Sequence, residues 1–550
     1  MHALFSLLNT PAGGAARIRR AGLATLCRIA CAAVEAGRTA VIVTRSRTEF
    51  AEARALATLL TPSLSVDDAP LSRPSWESPC LFLPPGLTLR ADRDAWGTRM
   101  AALYGLALGQ PRCAVVSLES LLVRQMPVSF FDGHVLDLER GSDYSPDLVI
   151  EQLVEWGYAR VPLVTRRGEL ARRGDILDIF PPGYARPVRL EFFGDTVDEL
   201  RLFDTESQRS LEPLPSATLL PTLPFVLDGT GVKRIRKRLD TLFAGERISE
   251  NDCYSAKKAL LSGGAGLFPG MAHDAASPLE AWIPDDALWL LPAAACGEEM
   301  LTVAATLREE LEAEDAPLPQ PAHICLRDAG GALPWQHAAR VEAEPLVMSV
   351  DSRGTDMPER PLHAFTDLWD TPGAIDRPWQ HLSSALKEWQ RAKRQVLLSF
   401  SSSRSRAKFL RLAEQEGIVP ALRYAPEQRG LYALVSPFRN GADLIWDDAL
   451  LLGEKILYPK AETARRTPSR AFKGLDSFDD LKPGDLLVHR DYGVGRFAGL
   501  EHLTGNGIAN DFLLLDYAGQ DKLYVPVDRM GLVQRFKGGD AEPPALDRLG

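Results

Sequence analysis

Gly168–Ser210 reads GELARRGDILDIFPPGYARPVRLEFFGDTVDELRLFDTESQRS and combines dense turn chemistry with alternating apolar residues. Within it, Pro187-Val188-Arg189-Leu190-Glu191-Phe192-Phe193 reads as a strand that meets a Gly194-Asp195 turn. Side chains alternate across a strand with period two, so Val188, Leu190 and Phe192 share the core face. Arg189, Glu191 and Phe193 then share the other face. A phenylalanine beside an arginine there suits a contact surface, because aromatic and arginine side chains dominate binding energy at interfaces. A covering loop over Phe193 is the competing reading, and alternation alone does not choose between them.

Outward from that stretch, residues 126–212 form an α+β module. Ser145-Pro146-Asp147 has the form of a helix start, with Ser at the N-cap and Pro at the first helical position. The helix that follows stops at Gly157. Five arginines (Arg160, Arg166, Arg167, Arg172, Arg173) then face one Glu169, which gives the module a basic end. That end is either a solvated face or a surface for an anionic partner.

Before the module, residues 1–125 alternate helical and short apolar stretches: a helix ending at Gly37, the β-branched run Thr39–Thr44, a helix in SRTEFAEARALATLL, and strands at Cys80–Leu83 and Cys113–Ser117. This pattern implies a parallel sheet with right-handed crossovers. Nucleotide binding in such a sheet needs a glycine-rich turn followed by Lys and Ser/Thr. The chain has Gly13-Gly14 and Ala21-Gly22 but no GxxxxGK[ST]. After the module, residues 213–350 read as short strands and loops (LPTLPFVLD, ALWLLPAA, HICLRD) with one acidic helix from Glu299 to Glu314. Residues 351–456 form a small α/β domain that begins in a proline-bearing linker at 351–375. It has strands at Gln395–Phe400, Tyr432–Ser436 and Leu444–Trp446, and a helix capped by the Ser401–Ser403 run. A basic linker follows at 457–475, overlapping the basic tract Lys455–Lys473, which is either solvated or a phosphate-contacting arm. Residues 476–550 carry short strands with glycine turns, the pattern of a small antiparallel barrel. From Leu481 to Asp540, seven Lys and Arg face eight Asp and Glu, so a protein partner bound at a strand edge fits better than nucleic acid.

The whole is a multidomain α/β and α+β chain of 550 residues with net charge −10. No apolar run reaches the roughly 18 residues of a membrane span, and the start lacks the basic region of a signal peptide. Seven scattered cysteines without a CxxC pair argue against a disulfide framework and a zinc site, and point to the cytoplasm. The nine histidines do not cluster, no catalytic constellation emerges, and His489 in VHRDYGVG is expected to fix a turn.

The text RGDILDIFP, PVRLEFFGD, ELRLFD and SQRSLEP resembles the module shared by UvrB and the bacterial transcription-repair coupling factors. Separately, PGDLLVHRDYGVGRFAGLEHL and DKLYVPVDRMGLVQRF look like the RNA-polymerase-interacting domain of the coupling factors and CarD-type regulators. Both modules in this order point to the coupling-factor family. The resemblance implies a degenerate UvrB-like domain (1–125 and 213–350) interrupted by a UvrA-binding module, then a small α/β domain, then a CarD/Tudor-like barrel. It implies transcription-coupled nucleotide excision repair, with UvrA contacts at Arg173, Arg189 and Phe193 and RNA polymerase β-subunit contacts at Leu503 and Tyr524. It also implies a monomer without catalysis or cofactor of its own. ATP, magnesium and double-stranded DNA would belong to a translocase expected beyond Gly550, which makes these residues an N-terminal portion.

Overall fold

A computed structural model describes residues 2–61, 72–85, 93–205, 207–264, 266–293, 296–313, 318, 321–345, 354–369, 377–458, 481–489, 492–505, 508–519, 521–526 and 533–535. Backbone contacts divide the chain into two units: residues 1–131 with 230–462, and residues 132–229 with 463–550.

In the first unit a seven-stranded sheet runs in the order Thr355–Asp356, Ala15–Arg19, Ala339–Glu344, Leu288–Leu291, Ala40–Thr44, Cys113–Ser117, Cys80–Leu83. All its pairings are parallel. Ala40–Thr44, Cys113–Ser117 and Leu288–Leu291 are buried at every position, as strands covered on both faces must be. A second, mixed sheet has the order Glu359–Leu362, Gly441–Leu444, Ala449–Gly453, Gln395–Phe400, Leu431–Val435. Leu26 and Ile29 of the helix Leu23–Glu35, and Leu56 of the helix Arg47–Leu60, share one apolar cluster with Ile42 and Leu290 of the first sheet. Leu397, Leu444 and Leu451 of the second sheet belong to the same cluster. The two sheets are therefore the walls of a single hydrophobic layer.

The turn after Ala15–Arg19 stands where a motor fold would cradle phosphate. Here the N-terminus of the helix Leu23–Glu35 donates to a carboxylate instead: Gly22 N and Thr25 N lie 2.9 and 2.8 Å from Glu359 Oε2. A Cβ on Gly22 would come within 2.5 Å of Glu359 Oε1, so a larger residue would push the carboxylate out of this position. The carboxylate satisfies two amides that a helix otherwise leaves unpaired, and its charge sits at the positive end of the dipole. Replacing Glu359 with Ala should cost about 1–2 kcal/mol, read as faster amide exchange in residues 22–27. Unchanged protection there would show the carboxylate to be incidental.

Several sequence expectations are corrected in this unit. Residues 229–261 are not strands and loops but two helices, Gly229–Ala244 and Glu250–Leu261. Ile235, Leu239 and Leu242 already carried the helical period. HICLRD contributes the short helix Ala322–Cys325. The stretch 351–375 holds strands rather than a free linker. Thr355–Asp356 pairs with Ala15–Arg19, and Glu359–Leu362 pairs with Gly441–Leu444. Pro361 is tolerated because its strand is the sheet edge. Leu444–Trp446 falls at the end of the strand Gly441–Leu444 and in a turn of 3₁₀ helix, with Ala449–Gly453 following. Of the basic tract Lys455–Lys473, only residues up to Tyr458 are described.

The second unit holds the sequence's opening stretch. Its six-stranded sheet has the order Ser210–Pro213, Thr196–Phe203, Val188–Phe193, Ile176–Ile179, Glu169–Arg173, Ala159–Arg160, so every strand pairs with its sequence neighbour. All pairs are antiparallel except the last. Leu136–Glu139 and Ser216–Leu219 form a separate antiparallel pair, with Leu136 opposite Leu219. The helix Pro146–Glu155 begins at Pro146 as expected, although the Ser145 side chain makes no capping bond. The C-terminal part of this unit is a five-stranded antiparallel sheet in the order Lys522–Pro526, Ile508–Asp516, Gly493–Gly505, Leu486–His489, Val533–Arg535. Leu487, Phe497, Leu513, Leu515, Leu523 and Val525 form its core.

Candidate docking surface

Val188, Leu190 and Phe192 are buried, and the opposite face carries Arg189, Glu191 and Phe193. Phe193 is 83% exposed, so the covering-loop reading is overturned. It stands at the tip of a hairpin, opposite Thr196, beside Gly194 whose φ of 65° suits a tight turn. The tip is braced from behind. Tyr144 N donates to Asp195 O at 2.6 Å, and Thr196 Oγ1 donates to Asp143 Oδ1 at 2.7 Å. The phenylalanine is thus a fixed apolar protrusion on a two-sided ladder.

Beneath it lies an ion network that sequence reasoning did not single out. Asp178, 1% exposed, sits opposite Arg189 in the ladder. Arg189 donates to it through Nε at 2.7 Å and Nη2 at 3.0 Å, while Arg173 donates from the other side through Nη2 at 2.7 Å. Arg189 is only 11% exposed; its guanidinium also lies 4.5 Å from the Phe203 ring centroid and donates to Gln208 O. A carboxylate this deep needs paired charges and charge-assisted bonds to be stable. Arg173, 47% exposed, keeps part of its guanidinium toward solvent. Arg173 and Phe193 are therefore the presented groups, and Arg189 holds the carboxylate that orients Arg173. The signal for Asp178 was an acid within an apolar strand, Ile176-Leu177-Asp178-Ile179, a position where acids are depleted unless partnered.

The other arginines of the basic end are partly used internally. Arg172 pairs with Asp147, and Arg167 lies 5.2 Å from the Phe180 ring centroid and donates to Tyr184 O. Glu191 is half-buried, opposite Ile176 on one side and Glu199 on the other. Glu199 itself pairs with Arg201.

In the C-terminal sheet, Leu503 lies on the long strand Gly493–Gly505 opposite Asn510. Tyr524 lies on Lys522–Pro526, opposite Leu514. Tyr524 is half-buried, edge-on to Phe512 at 6.4 Å between ring centroids. Burial first, and then neighbouring Glu501, push its hydroxyl pKa upward, so it is a neutral donor at physiological pH. Lys522–Pro526 ends the sheet order, the position that edge-strand docking requires. Arg209, within the SQRSLEP text, pairs with Asp521 beside that edge. His489 is buried at the end of its strand and stacks near Tyr492 at 5.2 Å.

Residues 136–225 match the family described as the UvrB interaction domain, and residues 481–537 the CarD-like/TRCF RID domain. The chain is 31% identical to the transcription-repair-coupling factor of Myxococcus xanthus over 84% of its own length and 40% of that protein's. It is 29% identical to the corresponding protein of Escherichia coli and 25% identical to that of Bacillus subtilis. These alignments cover 83% and 82% of the chain, and 40% of each relative. Both domain families thus stand in series in a chain that aligns with transcription-repair-coupling factors over more than four-fifths of its length and spans about two-fifths of the curated relatives it matches.

Proposed function

We propose that these 550 residues are a recruitment scaffold for transcription-coupled nucleotide excision repair. One docking surface takes UvrA at Arg173 and Phe193, positioned through Arg189; the other takes the RNA polymerase β subunit at Leu503 and Tyr524. The observation that carries the reading is Phe193, 83% exposed on a braced hairpin of the same sheet whose strand Glu169–Arg173 presents Arg173. An exposed aromatic and a half-free guanidinium on one sheet are the residue types of a binding hot spot. In this reading the C-terminal sheet is a CarD/Tudor-like barrel left open at Lys522–Pro526, where it binds by edge-strand addition. The scaffold works as a monomer in the cytoplasm and has no catalysis of its own. ATP and magnesium are used by a translocase part outside these residues, which tracks along double-stranded DNA.

The test is co-capture of UvrA and the polymerase β subunit by the whole chain. Leu503→Arg should weaken β-subunit capture about 30-fold or more, at a typical anchor cost of about 2 kcal/mol, and leave UvrA capture intact. Capture of the β subunit without UvrA would instead leave a CarD-type regulator. Loss of both by the one substitution would place the defect in folding.

A further inference from the structure

We propose that the outer face of the helix Gly229–Ala244 is a docking surface for the phosphate backbone of double-stranded nucleic acid. The helix buries Ile235, Leu239 and Leu242. Lys233, Arg234, Arg236 and Lys237 are exposed. At 100° per residue these four span a sector of about 160° centred opposite the buried residues. The surface is locally cationic in a chain whose net charge is −10, so the patch is not a by-product of composition.

Its charge is also uncompensated. Among the described residues, none of the four pairs with a carboxylate, and Asp240, the acid nearest to them in sequence, is occupied elsewhere. Asp240 is 2.5 Å from Lys257 Nζ on the next helix, and Arg238, at the edge of the sector, takes Asp274 at 3.1 Å. The first turn of the helix carries no acidic residue. Lys233 and Lys237 stand one turn apart, as like charges that repel without a local counter-charge, and a polyanion relieves that repulsion.

Phosphate is favoured over an acidic protein by the residue types. Lysine is depleted at protein interfaces, and the sector contains no aromatic or aliphatic anchor between its charges. Four flexible cations on one exposed helix face suit a repeating backbone that presents a charge about every 1.7 Å of axis. No base-reading geometry is implied, so binding is independent of sequence.

The measurement is fluorescence anisotropy of a labelled random-sequence duplex titrated with the full chain across a salt series. Four phosphate contacts predict a slope of log K on log salt near −3.6, about a 100-fold loss between 50 and 200 mM salt. The variant K233Q/R234Q/R236Q/K237Q should bind at least about tenfold more weakly, with a slope smaller in size by about 3. Amide exchange in the helix Gly229–Ala244 should not accelerate, because the four side chains are exposed. A control, R404Q/K408Q/R411Q, lowers net charge similarly on another exposed helix and should keep the parental slope. Three results overturn the proposal: no duplex binding by the parent at low salt, equal losses in both variants, or a glutamate-rich peptide bound as tightly as the duplex. Capture of UvrA and the β subunit by the quadruple variant should be normal, which separates this surface from the scaffold reading.

Discussion

Asp178→Ala is expected to loosen the whole six-stranded sheet and to abolish UvrA capture. The substitution removes the only carboxylate partner of Arg189 among the described residues and leaves a guanidinium that is 11% exposed without its counter-charge. Breaking one member of a buried ion pair costs about 3–5 kcal/mol, a large share of the roughly 5–15 kcal/mol that holds a domain together. Arg173 contributes less to that loss because water already screens half of it. The readout should be local, since a chain of several domains has no single unfolding midpoint. Hydrogen exchange in strands Ile176–Ile179 and Val188–Phe193 should accelerate, while Gln395–Phe400 in the other unit keeps its protection. Adding Arg189→Met should recover part of the loss, because the stranded charge is then gone. Normal protection in the single variant would refute a structural role for the network.

Phe193→Ala is expected to do the opposite: no change in exchange, but a fall in UvrA affinity of about 30-fold or more, the equivalent of about 2 kcal/mol. An 83% exposed side chain buries little that folding could lose. Arg173→Ala should weaken UvrA capture in the same direction with a small stability cost, since Asp178 keeps both bonds from Arg189. Neither change should alter β-subunit capture. Parental UvrA affinity in both variants would remove these residues from the interface.

Alternation alone placed Val188, Leu190 and Phe192 inside and Phe193 outside, because a strand with one buried face admits no other phase. The first parallel sheet was legible for the same kind of reason: Ala40–Thr44 and Cys113–Ser117 are too apolar for any exposed face. What composition hid was partnership across distance. Asp178 belongs to a text that reads like a turn-flanked apolar strand, and only the ladder sets it against Arg189. Arg189 looked as available as Arg173, yet the two differ fourfold in exposure, 11% against 47%. Glu359 lies more than 300 residues from the helix it caps, in a proline-bearing stretch that resembles a linker. The helix Gly229–Ala244 was missed because its run of cations masked a regular apolar period.

The strand order of the inserted module has a kinetic and topological consequence. Each strand of the six-stranded sheet joins a sequence neighbour, so contacts close over short loops and contact order is low, the condition for fast autonomous folding. The pairing of Leu136–Glu139 with Ser216–Leu219 then brings the entering and leaving chain side by side, like the two ends of a closed zip. A segment with adjacent ends and local wiring can interrupt a host domain without stretching it. The same property makes it portable: its docking hairpin would keep its shape when grafted into any loop that can spare two neighbouring attachment points.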